Sequence, residues 1–340
     1  MSKKVGSQTV FFQTPVSILS TSSIVGFKEG QGPLGKYFDR VVEDILWDCK
    51  SWEQAESKFV TDGIKLAIQK AGLADIDIDA ILAGDLLNQI IGTSFGVRDL
   101  HRPFIGMFGA CSTFGLALGV GSMLIDGGFY TNVVASASSH FAAAEKQFRF
   151  PLEFGSQRPP TSTWTVTGNG AAVLSNKKGG KGICVTAYTA GKIVDLGITD
   201  INNMGAAMAP CAADTMITHF KDTGRNPDYY DMIITGDLGY IGHELVLDIV
   251  KEQGYSLSSN YTDCGIKIFD KETQDTHSGG SGCACAAVTY AGYLHTQIEN
   301  GAIGKLLLLP TGALLSTTSA QQGESIPGIC HAVVIEKLGE

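Results

Sequence analysis

A cysteine at a sharp strand-to-helix junction is the residue of this chain with the clearest chemical potential. Cys111 lies in the run Gly-Ala-Cys-Ser-Thr, and a stretch of mainly small apolar residues, 114–125, follows it almost directly. The first N–H groups of a helix have no partner within the helix, and the helix dipole is positive at that end. A thiolate or a bound anion is stabilised there. The position therefore predicts a nucleophile or an anion-binding pocket, with a buried cysteine that packs as a small apolar residue as the alternative.

Composition and charge narrow the class of protein. The 340-residue chain carries a net charge of -9, and 44% of its residues are apolar. An acidic chain argues against nucleic acid as a partner and against attachment to anionic lipid by charge alone. No apolar run approaches the roughly 20 residues of a membrane span, and no apolar signal core follows the first four residues. We expect a soluble protein made in the cytoplasm.

The eight cysteines show no spacing of a small disulfide framework, which fits thiols in a reducing compartment. Cys283 and Cys285 lack a second cysteine pair or a nearby histidine. His243 and Glu244 lack the second histidine of a zinc helix. We therefore expect no structural metal and no resident cofactor.

The chain repeats one pattern of elements. In the first half, apolar residues at helical spacing predict a helix over 59–71, and a strand over 79–86 follows. In the second half, a helix over 212–220 leads to a strand over 230–238. The same order of elements in both places indicates a duplication.

The repeat continues through the cysteines. Cys111, its helix and the strand after it correspond to Cys285, a helix, and a strand over 305–309. Gly127 and Gly301 are 174 positions apart, and the two cysteines share that offset. Each half then ends in another strand. We expect two halves, 1–180 and 181–340.

Alternation of strands and helices predicts mainly parallel sheets that are covered by helices. Two such halves, related by a pseudo-dyad, would place the two cysteine-bearing helices at the centre of the molecule. Loops at the carboxyl ends of the strands should then line one shared pocket.

Three runs resemble the thiolase and ketoacyl synthase III superfamily. They are 109–113 before the apolar helix, the strand over 133–136, and the closing run 167–174. In those enzymes a thioester acylates the cysteine. The resemblance covers nearly the whole chain. It implies an α/β fold with duplicated βαβαβαββ halves in five α-β-α-β-α layers.

Four further runs, 136–140, 150–155, 158–164 and 277–282, resemble the stage V sporulation protein AD family of endospore-forming bacteria. That family is associated with uptake of pyridine-2,6-dicarboxylate (dipicolinate) into the developing spore as its calcium chelate. The resemblance implies ligand binding, with calcium carried as part of the ligand. It also implies membrane-embedded partners from the same operon and peripheral association with the spore inner membrane. A homodimer is left open.

The polar residues that a condensing enzyme needs beside its catalytic cysteine are not all present in the sequence. In ketoacyl synthase III enzymes a histidine of an H-Q-A-N run lies after the second-half strand, where this chain has Asp237. A carboxylate there opposes a developing oxyanion. His277 lies in a run similar to that of the other partner, but its spacing to Ser281 is one residue short. We therefore expect binding without a catalytic residue, and the alternative is an acyl-thioester-handling enzyme that uses Cys111.

Dipicolinate is a flat ring with two carboxylates, so its pocket needs an apolar wall and two sets of hydrogen-bond donors. Cys111 and the amides of Ser112 and Thr113 are placed to receive one carboxylate at the helix start. His140 can donate to the other, and Trp164 can stack on the ring. A satisfied loop histidine and a packed tryptophan are the alternatives.

Asp85 follows a strand and would face the same pocket, either toward calcium or toward His140, unless it caps a helix. Lys146, Arg149 and Arg158 would add positive charge at the pocket mouth, or lie solvated in loops. The predicted ligand-binding residues are Asp85, Cys111, Ser112, Thr113, His140, Trp164 and His277.

Overall fold

A computed structural model describes residues 3–148 and 158–339 of the chain. The run 150–155, which carries part of the family resemblance, and Arg149 lie outside the described residues. The boundary predicted at residue 180 falls between the last strand of the first half and the first strand of the second. The division into halves there stays a prediction.

The strands of the described residues, in chain order, are β1 (Lys4–Val5), β2 (Thr9–Gly26), β3 (Arg40–Val42), β4 (Ala80–Gly84), β5 (Phe104–Gly106), β6 (Asn132–Ser139), β7 (Trp164–Thr165), β8 (Gly168–Ser175), β9 (Gly182–Thr189), β10 (Met232–Thr235), β11 (Tyr261–Asp263), β12 (Gly280–Ser281), β13 (Lys305–Leu309), β14 (Thr311–Ala313), β15 (Gly328–Cys330) and β16 (Ala332–Leu338).

The helices are α1 (Phe27–Gly30), α2 (Trp52–Lys70), α3 (Ile91–Arg98), α4 (Thr113–Asp126), α5 (Phe141–Phe148), α6 (Met204–Thr223), α7 (Gly239–Glu252), α8 (Cys264–Ile268), α9 (Cys283–Val288), α10 (His295–Glu299) and α11 (Thr317–Gln321). A π-helical segment, Thr289–Leu294, joins α9 to α10.

Both halves have the same strand order. The first half runs β5-β4-β6-β8-β2, and the second runs β11-β10-β13-β16-β9. In each half the three strands at the outer end are parallel and the two at the inner end are antiparallel to their neighbours. β2 and β9 pair antiparallel and join the two sheets edge to edge. The predicted repeat is therefore present in the topology.

Helices cover both faces of the sheets, as expected for strands such as β4 and β6, whose residues are all buried. α4 and α9 contact each other between the sheets, where the rings of Phe114 and Tyr290 are fully buried with centroids 5.8 Å apart. α2 packs on the outer face of the first sheet, and α6 packs on the second. These are the five α-β-α-β-α layers that the family resemblance implies.

Two differences from the sequence analysis have clear physical reasons. α6 begins at Met204 and contains Pro210, whereas the predicted helix starts only after that proline. Pro210 is the seventh residue of α6, beyond the first turn, so it removes one hydrogen bond within the helix. Buried residues on both sides of the proline, Ala209 and Cys211 among them, pack the helix against its neighbours and hold it across this position. β2 and β9, which join the halves, are not predicted at all. Within the described residues no helix is both long and apolar enough to cross a membrane.

Candidate functional site

The turn that carries Cys111 is tight and internally hydrogen-bonded. Ala110 has φ of 48°, in the left-handed region, and α4 begins two residues after Cys111. The amide of Ser112 donates to the Gly109 carbonyl at 3.0 Å, and the amide of Thr113 donates to the Ala110 carbonyl at 3.1 Å. Both hydroxyls donate to the same two carbonyls. The amides of Ser112 and Thr113, which are predicted to bind a ligand carboxylate, are thus already hydrogen-bonded within the turn.

The second half packs directly against this turn. A Cβ on Gly312 of β14 would lie 2.2 Å from the Gly109 carbonyl oxygen and 3.1 Å from the Cys111 nitrogen. Only glycine fits such a close backbone approach. The geometry of the cysteine therefore depends on both halves.

Asp237 lies behind Cys111, and the resemblance to ketoacyl synthase III enzymes implies a histidine at this place. Its carboxylate accepts hydrogen bonds from the Thr311 hydroxyl at 2.5 Å and the Ser281 hydroxyl at 3.0 Å. Burial raises the pKa of Asp237 to about 6. Burial, and after it the charge of Asp237, raises the pKa of the Cys111 thiol well above its usual value.

Cys111 is consequently a neutral thiol, 6% exposed, at the wall of a cavity. The expectation of a thiolate stabilised at the helix start is wrong, because burial and a neighbouring carboxylate outweigh the helix dipole. Condensing chemistry needs the thiolate.

The cavity has a volume of about 370 Å³ and receives residues from both halves. The described residues that line it are Leu86, Leu87, Asn88, Gln89, Ile90, Gly106, Met107, Phe108, Ala110, Cys111, Glu145, Gln147, Ser162, Thr163, Thr165, Ile201, Asn202, Met204, Ser281, Gly282, Ala313, Leu315, Ser316 and Thr317. Among them there is no lysine, arginine or histidine. Glu145 is the one described lining residue with an ionisable carboxyl group.

α5 supplies the polar wall of the cavity. Glu145 is 5% exposed and accepts a hydrogen bond from the Thr165 hydroxyl at 2.9 Å. The Gln147 side-chain oxygen accepts from the Asn88 amide at 3.1 Å. Carboxylate and amide oxygens beside an apolar wall can coordinate a hard cation while the wall covers a planar ring.

Of the seven residues predicted from the sequence, Cys111 lines this cavity; the other six are not among the described lining residues. Asp85 is fully buried and accepts from the amides of Leu87 at 2.7 Å and Thr93 at 2.6 Å. Burial raises its pKa. Asp85 thus holds the first turn of α3, which matches its alternative role as a helix cap.

His140 is also fully buried, at the start of α5. Its Nε2 lies 2.9 Å from the Ile45 carbonyl oxygen, and its Nδ1 accepts from the Ala143 amide at 3.4 Å. Burial lowers the pKa of the ring. This neutral histidine ties α5 to the loop before α2 and matches its alternative, structural role.

Trp164 and His277 are connected through Arg158 and Asp275, and neither is among the described residues lining the cavity. One face of the Trp164 ring stacks on Phe141, with centroids 3.9 Å apart. His277 Nε2 lies 3.2 Å from a carboxylate oxygen of Asp275. Lys146 pairs with Glu53, and Arg158 pairs with Asp275.

Glu145 is the main residue that the sequence analysis misses. The available signal is its place in the segment directly after β6, since residues that follow the carboxyl end of a strand line such pockets. The sequence analysis took His140 from that segment, and the carboxylate lies five positions later.

Comparison with known proteins identifies close sequence relatives. The family model of stage V sporulation protein AD (SpoVAD) matches residues 6–336. Stage V sporulation protein AD of Bacillus subtilis (strain 168) is 47% identical over 337 residues, which cover 99% of each chain.

Solved structures with a similar fold are condensing enzymes. OleA of Xanthomonas campestris with bound cerulenin has a TM-score of 0.62 at 12% identity, covering 96% of this chain and 100% of that chain. The 3-oxoacyl-[acyl-carrier-protein] synthase III of Aquifex aeolicus has a TM-score of 0.52 at 14% identity, covering 96% and 99%. At these identities the similarity shows the fold, which is thiolase-like, and leaves the activity open.

Proposed function

Because the chain belongs to the stage V sporulation protein AD family, whose role lies in sporulation, we propose that it binds dipicolinate as the calcium chelate in the cavity beside Cys111. In this proposal the protein is a component of the spore dipicolinate uptake machinery. It associates peripherally with the spore inner membrane through membrane-embedded partners from the same operon.

The charge of the cavity wall is the observation that carries the proposal. The described lining residues contain no cation, and they contain the carboxyl group of Glu145. The described lining residues offer no cation to the two charges of a free dipicolinate dianion, and burial of a charge that no cation balances is costly. The chelate of dipicolinate with calcium is neutral, so it avoids that cost.

Calcium in the chelate still has open coordination positions. It takes about 6–8 oxygen ligands, and dipicolinate supplies only two carboxylate oxygens and a ring nitrogen. Glu145 is the described carboxylate at the wall, and Asn88, Gln89, Gln147 and Asn202 are the described lining residues with side-chain amides. The apolar residues Met107, Phe108 and Ile201 can cover the ring.

The same geometry argues against catalysis at Cys111. The thiol is neutral and a buried carboxyl group, Asp237, lies beside it, where the resemblance implies a catalytic histidine. The alternative is an acyl-thioester-handling enzyme. One observation favours it, namely that Cys111 lies at the cavity wall of a condensing-enzyme fold. Steady acetyl-CoA turnover that disappears in Cys111→Ala would support it.

The test of the proposal is calorimetric titration of wild type and Glu145→Gln with calcium dipicolinate. We expect wild type to bind the chelate, and Glu145→Gln to bind it about tenfold or more weakly, since the lost contact is to a charged group. Glu252→Gln, in an exposed position of α7, is the control and should bind like wild type.

Two outcomes of this titration contradict the proposal. One is that wild type does not bind the chelate. The other is that Glu145→Gln binds it as tightly as wild type while both variants keep the wild-type melting temperature.

A further inference from the structure

A cationic cluster lies on the far side of β7 from the cavity. The residues on either side of Trp164 line the cavity, and side chains alternate along a strand, so Trp164 points the other way. Its ring stacks on Phe141 at 3.9 Å with the planes 9° apart. Phe141 therefore covers one face of the ring, and the other face is left to two cations.

The two cations are Lys28 and Arg158. Lys28 Nζ lies 4.1 Å from the centroid of the Trp164 ring, and Arg158 Cζ lies 4.8 Å from it. Cation–π contact stabilises each group but neutralises neither charge. Burial, and after it the charge of Arg158, lowers the pKa of Lys28. The two positive charges on this face of the ring therefore repel each other.

Arg158 has a buried donor that the described residues do not satisfy. Its side chain is 6% exposed. Nη2 donates to the Asp275 side chain at 2.8 Å and to the Asp275 carbonyl at 3.0 Å. Nη1 is buried and has no hydrogen-bond partner among the described residues. A buried charged donor without an acceptor is unfavourable unless a ligand supplies one.

The nearby carboxyl groups do not balance the cluster. Asp275 is 76% exposed, and it is shared between Arg158 and His277, whose Nε2 lies 3.2 Å from it. Burial raises the pKa of Glu29, which lies next to Lys28, to about 7, so that its charge is only partial near neutral pH. A site with two cations, one shared carboxylate and an unused buried donor is suited to an oxyanion.

We infer that Lys28 and Arg158 form a second binding site, separate from the cavity, for the carboxylate or phosphate group of a small anion. The oxyanion accepts from Arg158 Nη1 and from the Lys28 ammonium and relieves their repulsion. The face of the Trp164 ring makes cation–π contacts with Lys28 and Arg158, so the ring does not stack on the ligand. The chelate in the cavity is neutral, whereas this site takes a charged group.

The test is calorimetric titration at low salt with three probes, namely inorganic phosphate, acetate and calcium-free dipicolinate. Wild type should bind at least one of them, and the probe that binds most tightly identifies the source of the oxyanion. Lys28→Gln and Arg158→Gln should each weaken that binding about tenfold or more, because each removes a charged hydrogen-bond donor. Lys36→Gln is the matched control, since Lys36 lies 5.1 Å from the centroid of the Tyr37 ring.

Binding of calcium dipicolinate separates this site from the cavity. Lys28→Gln should bind the chelate like wild type, whereas Glu145→Gln should bind phosphate like wild type. The inference is overturned if wild type binds none of the three probes, if Lys28→Gln binds them as tightly as wild type, or if Lys28→Gln loses the chelate as well. Should Arg158→Gln fail to fold, the result for Lys28→Gln decides.

Discussion

At the scale of single residues, the carboxyl groups of Glu145 and Asp237 determine the chemistry of the site more than Cys111 does. Burial, and after it the charge of Asp237, keeps the Cys111 thiol neutral, and Glu145 is the described lining residue with a carboxyl group. Cys111 thus contributes shape to the wall. Its reactivity should be low because it is buried, and the charge of Asp237 should lower it further.

Alkylation by iodoacetamide tests the effect of Asp237 on the reactivity of Cys111. Cys49 is half-buried and the other seven cysteines are buried, so wild type should be modified first at Cys49. Asp237→Asn removes the neighbouring charge, lowers the pKa of Cys111, and should speed its alkylation several-fold. Mass spectrometry of labelled peptides at pH 8 measures the rates.

Glu252→Gln is the control, because it removes a carboxylate at an exposed position of α7 that is not among the described residues lining the cavity. It should leave the rate at Cys111 unchanged. Fast alkylation of Cys111 in wild type, at the rate of Cys49 or above, would contradict the account.

At the scale of elements, short segments and buried carboxyl groups position the site. α1 is held against the start of β8 by Glu29, whose Oε1 accepts from the Thr167 amide at 2.9 Å. Burial raises the pKa of Glu29 to about 7, above the ordinary 4.5 of an unfolded chain. The ionised carboxylate therefore lowers the stability of the fold above pH 7, and this cost disappears as the pH falls toward 4.5.

Glu29→Gln should raise the melting temperature at pH 8, because the amide keeps the acceptor for Thr167 and carries no charge. The gain should shrink as the pH falls to 5, where the wild-type carboxyl is protonated in the fold. Differential scanning calorimetry at both pH values measures it, with Glu252→Gln as the exposed control. An equal change at both pH values would show that the charge of Glu29 is not the cause.

The sequence predicts elements better than it predicts directions of side chains. β13 (Lys305–Leu309) is found with the predicted bounds. The two cysteines are not equivalent in the way the repeat predicts, because Cys111 lies two residues before α4 and Cys285 lies inside α9. Asp85 and His140 lie at strand ends as predicted, yet both point into the protein and hold α3 and α5. Spacing along a chain places a residue at an edge of a sheet, but packing decides which way it faces.

At the scale of the whole molecule, the cavity lies between the two halves of the duplicated fold, and each half contributes different residues to its wall. The first half contributes the Cys111 turn and α5, and the second contributes β14 and the segment before α6. The sequence shows the duplication through its repeats. It could not show the cavity wall, because residues as distant as Gln147 and Thr317 contact each other only after the halves have packed.

The most direct test of the central claim is a crystal structure with calcium dipicolinate, in which anomalous scattering locates the calcium. The account predicts a calcium peak in the cavity, about 2.3–2.6 Å from an oxygen of Glu145, with the dipicolinate ring against the apolar wall near Cys111. A calcium dipicolinate complex bound elsewhere, with this cavity empty, would contradict it.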